Sequence, residues 1–151
     1  MRLSLIRHAQ AAEVAAFADD ALRPLTAQGQ ERFRAQVARL SKAHWSCGQL
    51  WSSPWLRAFQ TAQLLQPLCA VPMQSVPGLA MEPGEFLLEL LQAERELAAV
   101  GHQPWLSQLA AWLVLGSMDE ASQLPLEPGD VLVLQGEVRP GGMLLVQRYP
   151  A

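Results

Sequence analysis

Short apolar runs alternate along this chain with stripes of helical period, and together they predict most of its elements. Residues Leu3 to Ile6 read as a short buried strand that Arg7 and His8 end at once. The segment Ala9 to Leu25, with Asp19, Asp20 and Pro24, reads as a loop. Thr26 is a capping residue for a helix reaching Lys42, with Phe33, Val37 and Leu40 at helical spacing and Arg32, Arg34, Arg39 and Lys42 as its solvated face. Gln49 to Ser52 is a second strand. Ser53 and Pro54 follow as cap and first helical position of a helix to Leu65, which Pro67 and Pro72 stop. An extended piece near Met73–Val76 and a turn-rich stretch lead to a helix from Glu85 to Ala93.

Leu97 to Val100 predicts a third strand, closed by Gly101 and His102. The clearest helical stripe is Leu106, Leu109, Ala110, Leu113 and Val114, stopped by Gly116. Val131–Leu134 and Met143–Gln147 predict a closing hairpin around the turn residues Arg139-Pro140-Gly141-Gly142. The order β-α-β-α-(β)-α-β-α-β-β, without repeat or linker, predicts an α/β fold with a mainly parallel sheet.

Length narrows this to one ordinary domain over residues 1–151. A net charge of −3 and a pI near 5.6 argue against a duplex nucleic-acid partner. Any anion site must therefore gather its cations locally. The two cysteines, Cys47 and Cys69, form no CxxC pair, and His44 with Cys47 is too small a set for a structural metal. They read as two free buried thiols of a reducing compartment, with a disulfide between them as the alternative. The apolar start is too short for a signal-peptide core and no run is long enough to span a bilayer, so the expectation is a cytoplasmic protein with no membrane partner.

Three predicted strands share one property: each is followed at once by a turn carrying cationic or titratable groups. Arg7 and His8 follow the first, Arg57 lies in the first helical turn after the second, and His102 follows the third. Ligands of open α/β sheets bind beyond the carboxyl ends of the parallel strands. If these strands are neighbours, two arginines and two histidines meet in one pocket. Guanidinium forks match phosphoryl oxygens. A neutral imidazole is a nucleophile and a protonated one a donor. Helix N-termini near Arg57 and His102 add to the positive potential.

On these residues the chain resembles the histidine phosphatase superfamily. The Arg-His-Ala triplet stands in Leu5-Ile6-Arg7-His8-Ala9. Three further motifs match its SixA-type phosphohistidine phosphatase branch: Arg23-Pro24-Leu25-Thr26-x-x-Gly29, Ser53-Pro54-x-x-Arg57-Ala58-x-Gln60-Thr61-Ala62, and Gly101-His102-x-Pro104. The resemblance implies a phosphoglycerate mutase-like three-layer sandwich, minimal and without a large insertion. It implies that His8 attacks phosphorus and forms a transient phosphohistidine. Arg7, Arg57 and His102 would hold the phosphoryl oxygens, with no metal and no cofactor, and water would release inorganic phosphate.

The general acid that many relatives use has no diagnostic pattern here. Glu82 is the candidate, with Glu85 nearby and a solvated loop carboxylate as the alternative. A phosphoramidate has a leaving imidazole that protonates easily, so the gap favours phosphohistidine on a partner protein, such as a phosphotransfer domain. Trp55 and Trp105 follow the prolines of two motifs and are candidates for the rim of the site, or else for packing between helices. A small phosphorylated metabolite as substrate, and a non-catalytic phosphate-binding relative, are the rival readings.

Overall fold

A computed structural model describes residues 1–151. Its central strand is built by alternation. In β1 (Arg2–Arg7) Leu3 and Leu5 enter one hydrophobic core, while Ile6 enters the other. Ser4 shares the side of Ile6, and its buried hydroxyl accepts a bond from Trp45 Nε1 at 3.1 Å. The remaining elements follow the predicted order: α1 (Ala27–Lys42), β2 (Gln49–Ser52), α2 (Leu56–Leu65), β3 (Gln74–Ser75), α3 (Glu85–Gln92), β4 (Glu96–Gly101), α4 (Trp105–Leu115), β5 (Val131–Gly136) and β6 (Met143–Tyr149).

The strands form one six-stranded sheet in the order β3-β2-β4-β1-β5-β6. β4 pairs in parallel with both β1 and β2, and β3 pairs in parallel with β2. β5 runs antiparallel to β1, and β6 antiparallel to β5. Phe33 and Leu40 of α1 pack with Ala58, Ala62 and Leu65 of α2 on one face. Leu87, Leu88 and Leu91 of α3 pack with Leu106, Leu109 and Leu113 of α4 on the other. The result is the expected three-layer arrangement, helices on both faces of a mainly parallel sheet. Each fully buried leucine contributes about 1.5–3 kcal/mol over leaving it exposed. No helix is long and apolar enough to cross a membrane.

Helix ends carry the predicted chemistry in two places. Thr26 Oγ1 accepts from Gly29 N at 2.9 Å and caps α1. Gly116, at φ 84°, closes α4 in the left-handed conformation that glycine adopts without penalty.

Two expectations are corrected. Pro54 is not the first residue of α2, which begins at Leu56; the Ser53 hydroxyl accepts from Trp55 N at 3.1 Å and so holds a turn ahead of the helix. The cysteines are not free thiols. Cys47 and Cys69 are joined in a disulfide. Backbone bonds from Cys47 N to Leu68 O and from Ala70 N to Cys47 O form a small parallel bridge that sets their Cα atoms 4.8 Å apart, within bonding geometry.

Candidate active site

The sheet order explains why distant motifs meet. β4 lies between β2 and β1, so the carboxyl ends of these three strands are adjacent. The chain is stitched where it leaves them: His8 N donates to Gly101 O at 3.1 Å, and Ser53 N to Val100 O at 2.9 Å. Arg7 and His8 leave β1, Ser53 and Arg57 follow β2, and His102 follows β4.

His8, Arg57 and His102 are 9%, 3% and 2% exposed, and the two imidazole centroids lie 5.2 Å apart. His8 Nδ1 lies 2.7 Å from Ala9 O, and a carbonyl can only accept, so Nδ1 carries the proton. Nε2 is then a lone-pair nitrogen, and Arg57 Nε donates to it at 3.3 Å. Burial, with Arg57, Arg7 and Arg23 nearby, pushes the His8 pKa down to about 4 despite the opposing bond to Ala9. His8 is therefore neutral at pH 7, with its lone pair on Nε2.

His102 is set in the opposite sense. Its Nε2 lies 2.7 Å from Ser53 Oγ, and that oxygen already accepts from Trp55 N. A serine hydroxyl giving its own proton to Nε2 satisfies all three groups and leaves Nδ1–H as a donor. That Nδ1 is buried without a partner. Burial first, then His8 and Arg57, push the His102 pKa down to about 3. Arg7 donates from Nη1 to Leu126 O at 2.8 Å, while its Nε is also buried and unpaired. Burial lowers the pKa of Arg7 against the pull of Glu127 and Asp130, and that of Arg57 against Asp20; both remain cationic. Unpaired buried donors cost about 1–3 kcal/mol each. Two of them beside a lone-pair imidazole and a second guanidinium make a site suited to an oxyanion.

The other motif positions hold this arrangement in place. Ala9 N donates to Thr61 Oγ1 at 3.0 Å, and Leu25 N to Gln60 Oε1 at 2.8 Å, so α2 ties down both the His8 segment and the Arg23–Gly29 motif. Thr26 N reaches Gln10 O at 3.0 Å, and a Cβ on Gly29 would lie 2.2 Å from that same oxygen. The glycine is there for close approach.

Trp55 and Trp105 flank the site. The Trp55 ring lies 4.6 Å from that of His102 and 5.7 Å from that of Trp105, and the Arg57 guanidinium sits 4.8 Å over Trp55. Glu82 is exposed and makes no hydrogen bond or ion pair. His44 is exposed at φ 57°, apart from this group. A cavity of about 770 Å³ borders Ala9 and Gln10 but includes none of Arg7, His8, Arg57 or His102. No three His, Cys, Asp or Glu side chains are grouped to hold a metal ion.

One residue at the site was not singled out from the sequence. Asp20, in a short 3-10 turn (Asp20–Leu22), ion-pairs with Arg57 Nη2 at 3.2 Å and Arg23 Nε at 2.6 Å. Its partial burial raises its pKa, but Arg23 and Arg57 outweigh this and hold the carboxyl below its ordinary value. The available signal was the Asp-x-x-Arg spacing ahead of the Arg23 motif.

The model of the histidine phosphatase superfamily (branch 1) matches residues 3–82. An uncharacterized protein of Picosynechococcus sp. strain PCC 7002 is 37% identical over 123 residues, 77% of this chain and 74% of that protein. Among solved structures, the protein histidine phosphatase SixA complexed with tungstate superposes with a TM-score of 0.83 at 22% identity, over 99% of this chain and 97% of the other. A phosphoserine phosphatase from Entamoeba histolytica gives 0.77 at 16% identity, over 99% and 97%. The alpha-ribazole phosphatase from Shigella flexneri gives 0.78 at 20%, over 97% and 95%. The fold is thus phosphoglycerate mutase-like and shared with SixA, and the chain belongs to the histidine phosphatase superfamily.

Proposed function

We propose that this protein is a phosphatase that works without a metal through a phosphohistidine on His8, and that it removes phosphate from phosphohistidine on a partner protein. One observation carries the reading: His8 Nε2 presents a lone pair whose one bond is from Arg57 Nε, and Arg7 Nε and His102 Nδ1 are buried without partners. In this reaction His8 Nε2 bonds to phosphorus as the bond from phosphorus to the substrate's imidazole nitrogen breaks. The leaving imidazole takes up a proton. That proton comes from solvent; water then attacks the phosphorus on His8 and returns a proton to solvent, the P–N bond breaks with its electron pair going back to Nε2, and inorganic phosphate leaves. Arg7, Arg57 and His102 hold the phosphoryl oxygens and stabilise the charge that builds on them. Trp55 and Trp105 form the rim against which the partner rests. An imidazole leaving group needs no strong protein acid, so no step here is assigned to Glu82.

The second reading, a small-molecule phosphomonoesterase on the same four residues, is favoured by a fold shared with phosphatases named for small substrates. An alkoxide leaving group needs a proton donor, and Glu82 is kept for that role only in this case. Rapid-quench turnover of a phosphohistidine protein is expected to trap an acid-labile phosphoryl group on His8. His8→Ala should abolish both turnover and trapping while the protein stays folded. Turnover that survives His8→Ala removes the mechanism; turnover confined to a small ester, with none on the protein, selects the second reading.

A further inference from the structure

Arg57 carries three donor nitrogens, and in this structure each has a distinct partner. Nη1 donates to the backbone carbonyl of Asp20 at 2.7 Å, Nη2 to Asp20 Oδ2 at 3.2 Å, and Nε to His8 Nε2 at 3.3 Å. Both outer nitrogens are thus committed to one residue, 37 positions away in sequence. A guanidinium is planar, so two bonds fixed on one side determine where the third N–H points. The carboxylate is fixed in turn: Arg23 Nε donates to Asp20 Oδ1 at 2.6 Å, and Arg23 Nη1 is anchored on Ala12 O at 2.7 Å. Asp20 touches neither imidazole. The stack of Arg57 over Trp55 at 4.8 Å restrains the plane but leaves rotation within it open.

We propose that Asp20 is a positioning residue for the candidate site: it grips the outer edge of Arg57 through both its carboxylate and its carbonyl, so that Nε stands beside Nε2 of His8 and passes to a phosphoryl oxygen when Nε2 bonds to phosphorus. This deepens the phosphatase reading and rests on it for the catalytic consequence, though not for the geometry. The loop before Arg23 thereby becomes part of the site, because its Asp20–Leu22 turn carries the grip. Loss of the carboxylate leaves Arg57 held only by its Nη1 bond to the Asp20 carbonyl, a single point about which it can turn, and misplacing a phosphoryl-holding group by about 1 Å costs up to a hundredfold in rate.

Two readouts test this on the full chain. The first is the Arg57 Nε–H signal in the ¹H–¹⁵N spectrum, which reports the bond to His8 with no substrate present. The second is the split between kcat and KM on a phosphohistidine protein. Asp20→Ala is expected to return the Nε–H signal to that of a free arginine and to lower kcat by about tenfold to a hundredfold, with KM changed less. Both variants keep the backbone carbonyl, but Asp20→Asn also keeps one side-chain acceptor oxygen and is expected to restore part of both; it also serves if the alanine variant unfolds. An unchanged Nε–H signal in the variants overturns the proposal, as does unchanged kcat in an active enzyme. If the wild-type chain turns over no phosphorylated substrate, the phosphatase reading fails by itself. The signal then still decides the point: its loss in the variants supports the grip and its persistence overturns it.

Discussion

The two site histidines differ by one hydrogen bond each, and that difference assigns them different work. A carbonyl beside Nδ1 leaves His8 a lone pair on Nε2, whereas a serine hydroxyl that gives its proton to Nε2 leaves His102 an N–H on Nδ1. Both are buried in the neutral form, with pKa values of about 4 and about 3 against an ordinary 6.5. Below pH 6.5 the unfolded chain takes up protons that the folded chain refuses. Stability is therefore complete above about pH 6.5 and falls as the pH drops toward 4, with His102 extending the loss toward 3, by an amount on the order of a few kcal/mol. Urea unfolding from pH 7 to pH 4, with His8→Asn as the control, checks this; a flat profile would contradict it. At this scale Arg7, His8, Arg57 and His102 were legible in the sequence because each stands just past a recognisable strand. Asp20 was not, since the Asp-x-x-Arg spacing signals its pair with Arg23 but not its contact with α2.

At the level of elements, the motifs are clamps between a loop and a helix. Gln60 and Thr61 of α2 hold Leu25 and Ala9, and the start of α1 closes on the Gln10 carbonyl. An alanine inside a helix is ordinarily better than glycine by about 1 kcal/mol. At Gly29 the sign reverses, because the new Cβ would meet the Gln10 oxygen at 2.2 Å and neither backbone is free to move. Overpacking of this kind costs about 1–3 kcal/mol. Gly29→Ala is thus expected to lower the melting temperature and to loosen the His8 segment; a variant as stable as the parent would contradict the clamp. The same scale shows where local reading stops. A Ser-Pro pair normally announces a helix at the proline, but here the Ser53 hydroxyl serves Trp55 and His102, so α2 starts two residues later. The strands were readable from short apolar runs because buried parallel strands need no alternation.

For the whole molecule, the Cys47–Cys69 bond joins residues 22 positions apart and closes a loop that contains all of β2 and α2, and with them Ser53 and Arg57. A loop of that size is worth about 3 kcal/mol through the restricted unfolded chain. Reduction, or Cys47→Ala with Cys69→Ala, is expected to lower stability by about that amount in denaturant titration, and unchanged stability would count against the linkage. From sequence the pairing stood only as the alternative to free thiols, because it depends on a small bridge between segments on either side of β2 and α2. A different consequence follows from where β4 lies. The strand that joins the two halves of the parallel sheet is written late, at residues 96–101, and β1 and β2 have no bonds to each other without it. A chain emerging from the ribosome therefore carries His8, Arg7 and Arg57 before the strand that spaces β1 from β2 has been made. Completion of the parallel sheet waits for one inserted strand, which delivers His102 in the same stroke.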